Sequence, residues 1–193
     1  MKNKILTAFP VHAKYEEKST EEIYVVDYTE RTKNTEQPRS VEIHSVKPDD
    51  IDGLYLDNSN ILSVSSIVFG EQCVVCNEGR ELKHCECVLF PKENDNTTWV
   101  LFVEIKDCKF KNISTYFQET KNQILNTVNE FRNRGIISAS KRVSGIISFP
   151  RVNKLNFHTQ LVKQAERQHF INEYGIILKG TNQAIIKNTV SIL

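Results

Sequence analysis

The run Trp99-Val100-Leu101-Phe102-Val103 constrains the fold of this chain more than any other stretch. Five consecutive large apolar residues leave no solvated face, so the run predicts a strand covered on both sides. It passes straight into Glu104-Ile105-Lys106. Side chains alternate faces along a strand, so Glu104 and Lys106 share one. A carboxylate and an ammonium at the end of a buried strand cost free energy unless they are paired or bind something. Upstream, CECVLF (85–90) is a second short apolar run, and PKENDNTT (91–98) is turn material with Pro91, Asn94, Asp95 and Asn96. The two runs therefore predict a hairpin with Glu86 beside Glu104. Neighbouring carboxylates repel, and a divalent cation relieves the repulsion. A lysine beside that ion is placed to orient or deprotonate a water.

From Ile113 to Arg134 the apolar positions Ile113, Phe117, Ile124, Val128 and Phe131 recur at helical steps, which predicts an amphipathic helix. Arg132 and Arg134 fall in its last turn and Gly135 ends it, as the helix dipole and the C-cap prefer. RVSGIISFP (142–150) then reads as a strand.

Glu86, seventeen residues, then Glu104-Ile105-Lys106 resembles the acid-plus-ExK signature of the PD-(D/E)xK nuclease superfamily, with Cys85-Glu86 where that family usually carries Pro-Asp. The resemblance covers roughly residues 60–150. It implies an α/β fold of the restriction-endonuclease-like kind: a mixed central sheet built from a strand meander, then a helix and a further strand. It implies a metal-dependent phosphodiesterase, with Mg²⁺ or Mn²⁺ held by Glu86 and Glu104 and the Ile105 carbonyl as a further ligand. Lys106 would position the attacking water or stabilise charge developing on phosphate. In that family the helix after ExK often presents polar residues to the site, which makes Gln118 and Lys121 candidates. Nucleic acid is the implied partner, DNA ahead of RNA. The alternatives are a catalytically inactive binding or assembly subunit of the same fold, working with a protein partner or a second copy, and a structural-zinc interaction module.

The zinc alternative rests on Cys73, Cys76, Cys85 and Cys87, a C-x2-C followed by a C-x-C. Burial of these thiols in a core is the stronger expectation, because free cysteine is among the most buried residue types. Elsewhere, EEIYVVDY (21–28) and SVEIHSV (40–46) predict strands flanking a polar loop, an N-terminal β-hairpin extension over residues 1–50 that lies outside the core. KPDDIDG (47–53) reads as a turn, NILSVSSIVF (60–69) as a strand, and QCVVC (72–76) as its continuation or partner. Residues 151–193 predict a helix ending near Asn172 before Gly175, then closing strands. The 193 residues read as a single domain.

A net charge of +1 hides an asymmetry: residues 1–105 carry a net charge of −8 and residues 106–193 one of +9. A basic half is the electrostatic signature of an anionic partner. Its candidates for phosphate contact are Lys109, Lys121, Lys141, Arg142, Arg151, Lys154, Lys163 and Arg167. No apolar run approaches the ~20 residues that span a bilayer, so the expectation is a cytoplasmic protein that does not enter the membrane. There is no GxGxxG or P-loop, which removes support for nucleotide-dependent chemistry.

Overall fold

A computed structural model describes residues 1–10, 13–71, 73–74, 79–108, 113–152 and 162–193. The chain opens with α1 (Lys2–Ala8), β1 (Ala13–Lys18), β2 (Glu22–Asp27), the short α2 (Thr29–Thr32), β3 (Val41–His44) and β4 (Leu54–Asp57). It continues through β5 (Val64–Phe69), β6 (Cys87–Pro91), β7 (Leu101–Ile105), α3 (Ile113–Asn133) and β8 (Val143–Ser148). It closes with α4 (Gln164–Tyr174), β9 (Ile176–Gly180) and β10 (Gln183–Ile185).

These strands form a six-stranded sheet in the order β1-β5-β6-β7-β8-β9 and a four-stranded sheet in the order β10-β4-β2-β3. In the large sheet, β1, β5, β6 and β7 are antiparallel neighbours, and β7, β8 and β9 are parallel. Tight turns can join only antiparallel strands, so the two parallel steps need crossovers. α3 lies in the first and α4 in the second. The chain is thus α/β with mixed sheets.

Alternation along the strands splits the apolar residues between two cores. Ile67, Phe69, Val88, Phe90 and Phe102 point to the side of α1 and α3 and pack with Ile5, Phe9, Ile124, Val128 and Phe131. Val64, Val68, Leu89, Leu101, Val103 and Ile105 point the other way and pack on Ile23, Val25, Ile43, Leu54 and Leu56 of the small sheet. β7 is therefore covered on both faces, and all five of its residues are buried, as the Trp99–Val103 run predicts. Close approach of α3 to the sheet depends on Gly145: a Cβ there would sit 3.1 Å from Ile124 Cγ2 and 3.1 Å from Leu178 Cδ1. Gly175 caps α4 at φ 59°, a conformation that costs glycine little.

Two expectations change. The N-terminal strands do pair with each other, but they do not form an extension outside the core. With β4 and β10 they make a complete second sheet that seals one face of the first. β4 is only four residues long, and its partners are distant in sequence, so local pattern does not announce it. Residues 1–20 carry little periodicity yet hold α1 and β1; β1 is an edge strand with no fully buried residue and needs no apolar stripe. Cys73 and Val74, the described part of 72–76 apart from residues outside the description, are buried but belong to no strand. Among the described residues no helix is long and apolar enough to cross a membrane.

Phe131 ties these parts together: its ring centroid lies 5.8 Å from Phe9 of the α1 segment, 6.1 Å from Phe69 and 5.1 Å from Phe102. Phe131→Ala is expected to lower unfolding free energy by about 3–5 kcal/mol, read as a fall in the urea midpoint at unchanged slope.

Candidate functional site

The site forms where β6 begins and β7 ends. Cys87 pairs with Val103, and that register sets Glu86 opposite Glu104. The Glu86 backbone is fixed from both sides: its N–H donates to the Val103 carbonyl at 3.0 Å, and its carbonyl accepts from Phe69 N–H at 2.9 Å. α3 holds the segment leading into it. Thr127 Oγ1 accepts from Cys85 N–H at 2.9 Å, Gln123 Nε2 donates to the His84 carbonyl at 3.0 Å, and Asn126 Nδ2 donates to the Lys83 carbonyl at 3.1 Å. Lys106 N–H donates to the Ser148 carbonyl at 3.0 Å, which continues the β7–β8 pairing one residue past the strand.

Lys106 Nζ reaches both acids. It donates to Glu86 Oε1 at 3.1 Å and lies 2.9 Å from Glu104 Oε1. The second contact is close but off-axis for a hydrogen bond: neither oxygen of Glu104 accepts one among the described residues, although the residue is 0% exposed. A fully buried carboxylate with one oxygen in an ion pair and the other without a partner remains costly and favours further positive charge.

Asp27, at the end of β2, is a buried third acid; its Oδ1 accepts from Thr29 N–H at 2.9 Å. Burial pushes the Glu104 carboxyl well above the usual carboxylate range, and the charges of Glu86 and Asp27 push it further against the pull of Lys106. Burial also raises Glu86, with Lys106 opposing and Asp27 adding to the rise. Burial alone would lower Lys106, but Glu104 and Glu86 more than offset it and hold the ammonium above an ordinary lysine. Two carboxylates that lose hydration and repel each other around one protonated lysine form a site where a bound cation would favour their ionised forms. Among the described residues no three His, Cys, Asp or Glu side chains converge closely enough to hold a metal ion without other ligands.

Beside this cluster the chain turns sharply, with Cys108 N–H donating to the Lys106 carbonyl at 2.9 Å. Asp107 sits in the turn, its side chain 3% exposed. Arg151 binds it through two nitrogens, Nε to Oδ1 at 2.5 Å and Nη2 to Oδ2 at 2.9 Å, and Arg31 Nε approaches Oδ2 at 3.5 Å.

Of the described candidate phosphate contacts, Arg151 is the one that joins this end of the sheet. Lys121 is buried, its ammonium already on Glu166 Oε1 and near the Phe117 ring. Gln118, by contrast, is exposed. Lys141 is also buried: its Nζ donates to the Asp95 carbonyl at 2.8 Å, and burial lowers its pKa. Lys141 and exposed Arg142 precede β8, whose register puts Ser144 beside Leu101 and Ser148 beside Ile105. They therefore lie at the opposite end of the sheet, roughly 20 Å along the strands. There they line a cleft of about 510 Å³ with Trp99 and Ser140. Lys163 is exposed before α4, and Arg167 is half-buried near Lys179. Lys109 and Lys154 lie outside the described residues. Among the described residues, these basic candidates are thus not gathered on one surface.

The cysteines follow the core expectation where they are described. Cys73 and Cys85 pack in the helix-side core and Cys87 in the core between the sheets, so the C-x-C pair does not point to one site. Burial raises all three thiols, Cys73 to about 11. Cys76 lies outside the described residues.

Asp27, Asp107 and Arg31 escape sequence reasoning. The signal for Asp27 was present, an acid closing the apolar run Ile23–Val26 just as Glu104 follows Trp99–Val103. Compared with known proteins, the chain matches no family model, no curated protein and no solved structure.

Raised carboxyl pKa values mean that the folded site binds protons more tightly than the unfolded chain. Its contribution to stability is then full below the ordinary carboxylate pKa and is lost as pH rises through the raised values. With divalent ions removed, Glu104→Gln is expected to exceed wild type in urea resistance at pH 8, by on the order of 1 kcal/mol or more. The difference should shrink toward pH 5. An advantage for the variant that stays constant with pH would contradict the electrostatic account.

Proposed function

We propose that this chain is a metal-dependent nucleic-acid phosphodiesterase with a site of the PD-(D/E)xK type. One observation carries the reading: Glu86 and Glu104 face each other on adjacent strands, and Lys106 touches both. The antiparallel meander β5-β6-β7, the α3 crossover and parallel β8 follow the order that the resemblance implies for a restriction-endonuclease-like core, which supports it further.

The residues fit a hard divalent cation. Glu104 offers two buried oxygens that accept no hydrogen bond, and Glu86 offers a second carboxylate beside them. Mg²⁺ commonly binds through one or two carboxylates, with waters and substrate phosphate filling its other positions, so the lack of a third converging ligand does not count against it. When bound, such an ion supplies charge neutralisation on the phosphate and a more acidic water.

The chain's own residues do the rest. Glu86 and Glu104 set the charge of the site, and Asp27 behind them deepens it. Lys106, held protonated, acts as a positive charge and hydrogen-bond donor rather than as a base. Aimed at the phosphate or the attacking water, it lowers the cost of the charge that develops during displacement. Covering β7 on both faces keeps these groups in a low-dielectric setting where that charge counts for more.

The test is incubation of labelled single- and double-stranded DNA and RNA with Mg²⁺ or Mn²⁺. The expected outcome is metal-dependent cleavage, DNA before RNA, abolished by EDTA and reduced at least about 10²-fold in Lys106→Ala. A folded wild-type protein that binds nucleic acid and never cleaves it, with either ion, would instead identify a non-catalytic binding subunit.

A further inference from the structure

Asp107 needs one bidentate arginine to satisfy its buried carboxylate, and Arg151 is already that partner. Arg31 is in excess. It arrives from a different part of the molecule, on α2 beyond β2 in the small sheet, and is anchored through Nη1 to the Asp50 carbonyl. Two guanidinium groups on one carboxylate leave a net charge of +1. The carboxylate is 3% exposed, while Arg31 and Arg151 keep 36% and 38% of their side-chain surface in solvent. Among the described residues, Nη2 of Arg31 and Nη1 of Arg151 have no partner. Asp107 directly follows Lys106, in the turn closed by Cys108 N–H donating to the Lys106 carbonyl at 2.9 Å, so the clamp adjoins the carboxylate–lysine site.

We propose that Arg31 and Arg151, held in place by Asp107, form a seat for a phosphodiester anion next to the one acted on at Lys106. The inference rests on the phosphodiesterase reading for its choice of anion. Its chemistry is that of a pair of arginine forks: each guanidinium is planar and permanently charged, holds its protein partners with two nitrogens and keeps an outer nitrogen to donate to a phosphate oxygen. Asp107 is a positioning residue. It fixes the plane of Arg151 through Nε and Nη2, and with the Asp50 carbonyl on Nη1 it draws Arg31 to the same place. The seat also gives the small sheet a role in substrate binding, because removing Arg31 would leave only the arginine contributed by the large sheet.

The experiment measures binding of a fluorescein-labelled DNA duplex by anisotropy, in EDTA, across a salt series. Cleavage by the same proteins is followed in Mg²⁺. Arg31→Ala and Arg151→Ala are each expected to weaken binding about tenfold and to lower the slope of log affinity against log salt by about one. Lys106→Ala should lose cleavage. Arg31→Lys and Arg151→Lys keep the charge and an ion pair with Asp107, and they guard against a loss caused by misfolding. They should restore the salt slope and only part of the affinity, because lysine lacks the fork.

Failure of the two ideas looks different. Weakened binding in the alanine variants, without cleavage by any protein, upholds the seat and removes the nuclease reading. Alanine variants that keep a cooperative melt and bind the duplex like wild type overturn the seat, whether or not Lys106→Ala loses activity. Wild type that fails to bind the duplex overturns it as well.

Discussion

Lys106 stands within 3.1 Å of Glu86 and 2.9 Å of Glu104, at the end of a strand buried on both faces. Much of the surrounding structure can be understood as what this contact requires. Two carboxylates in a dry setting repel each other and lose hydration, and one lysine cannot supply all the hydrogen bonds their oxygens lost. The arrangement persists because the backbone leaves no other choice. The β6–β7 register fixes the acids opposite each other, and α3 pins the segment before Glu86 through Thr127, Gln123 and Asn126. The apolar packing of the two cores is what pays for holding the charges there.

The small sheet changes the character of the site. Without it, β7 would present Leu101, Val103 and Ile105 to water, and the end of the strand would be open. With it, that face is sealed, and β2 brings Asp27 toward the acids while α2 carries Arg31 to Asp107. The result is a carboxylate cluster and an arginine clamp side by side, the former offering oxygen ligands to a cation and the latter nitrogen donors to an anion. The opposite end of the parallel strands has neither: its cleft holds Lys141, whose ammonium is already bound to the Asp95 carbonyl, and Arg142.

Legibility in the sequence followed the range of the interactions. The β6–β7 hairpin, α3 with its apolar stripe, the β8 strand and the end of α4 at Gly175 could all be read, because each rests on period, propensity or capping within a short window. Glu86, Glu104 and Lys106 could be placed together for the same reason, since one hairpin joins them. The small sheet could not be assembled. Its strands β2 and β3 are visible, but β4 has four residues and β10 three, and the latter pairs with a strand more than a hundred residues earlier. The fate of the basic residues was hidden too. Charge counted along the chain does not show that Lys121 and Lys141 turn inward to partners while Arg151 turns to Asp107.

The sequence by itself determined a buried strand ending in an acid and a lysine, a second acid one hairpin away, and a helix and strand to follow. Those features depend on side-chain alternation and local turn chemistry, which act between near neighbours. Only the tertiary structure decided that Asp27, Arg31 and Asp107 gather around them and that the N-terminal strands cover the sheet rather than extend from it. Those outcomes depend on which apolar faces meet, a choice made by burial across the whole molecule and encoded in no single stretch.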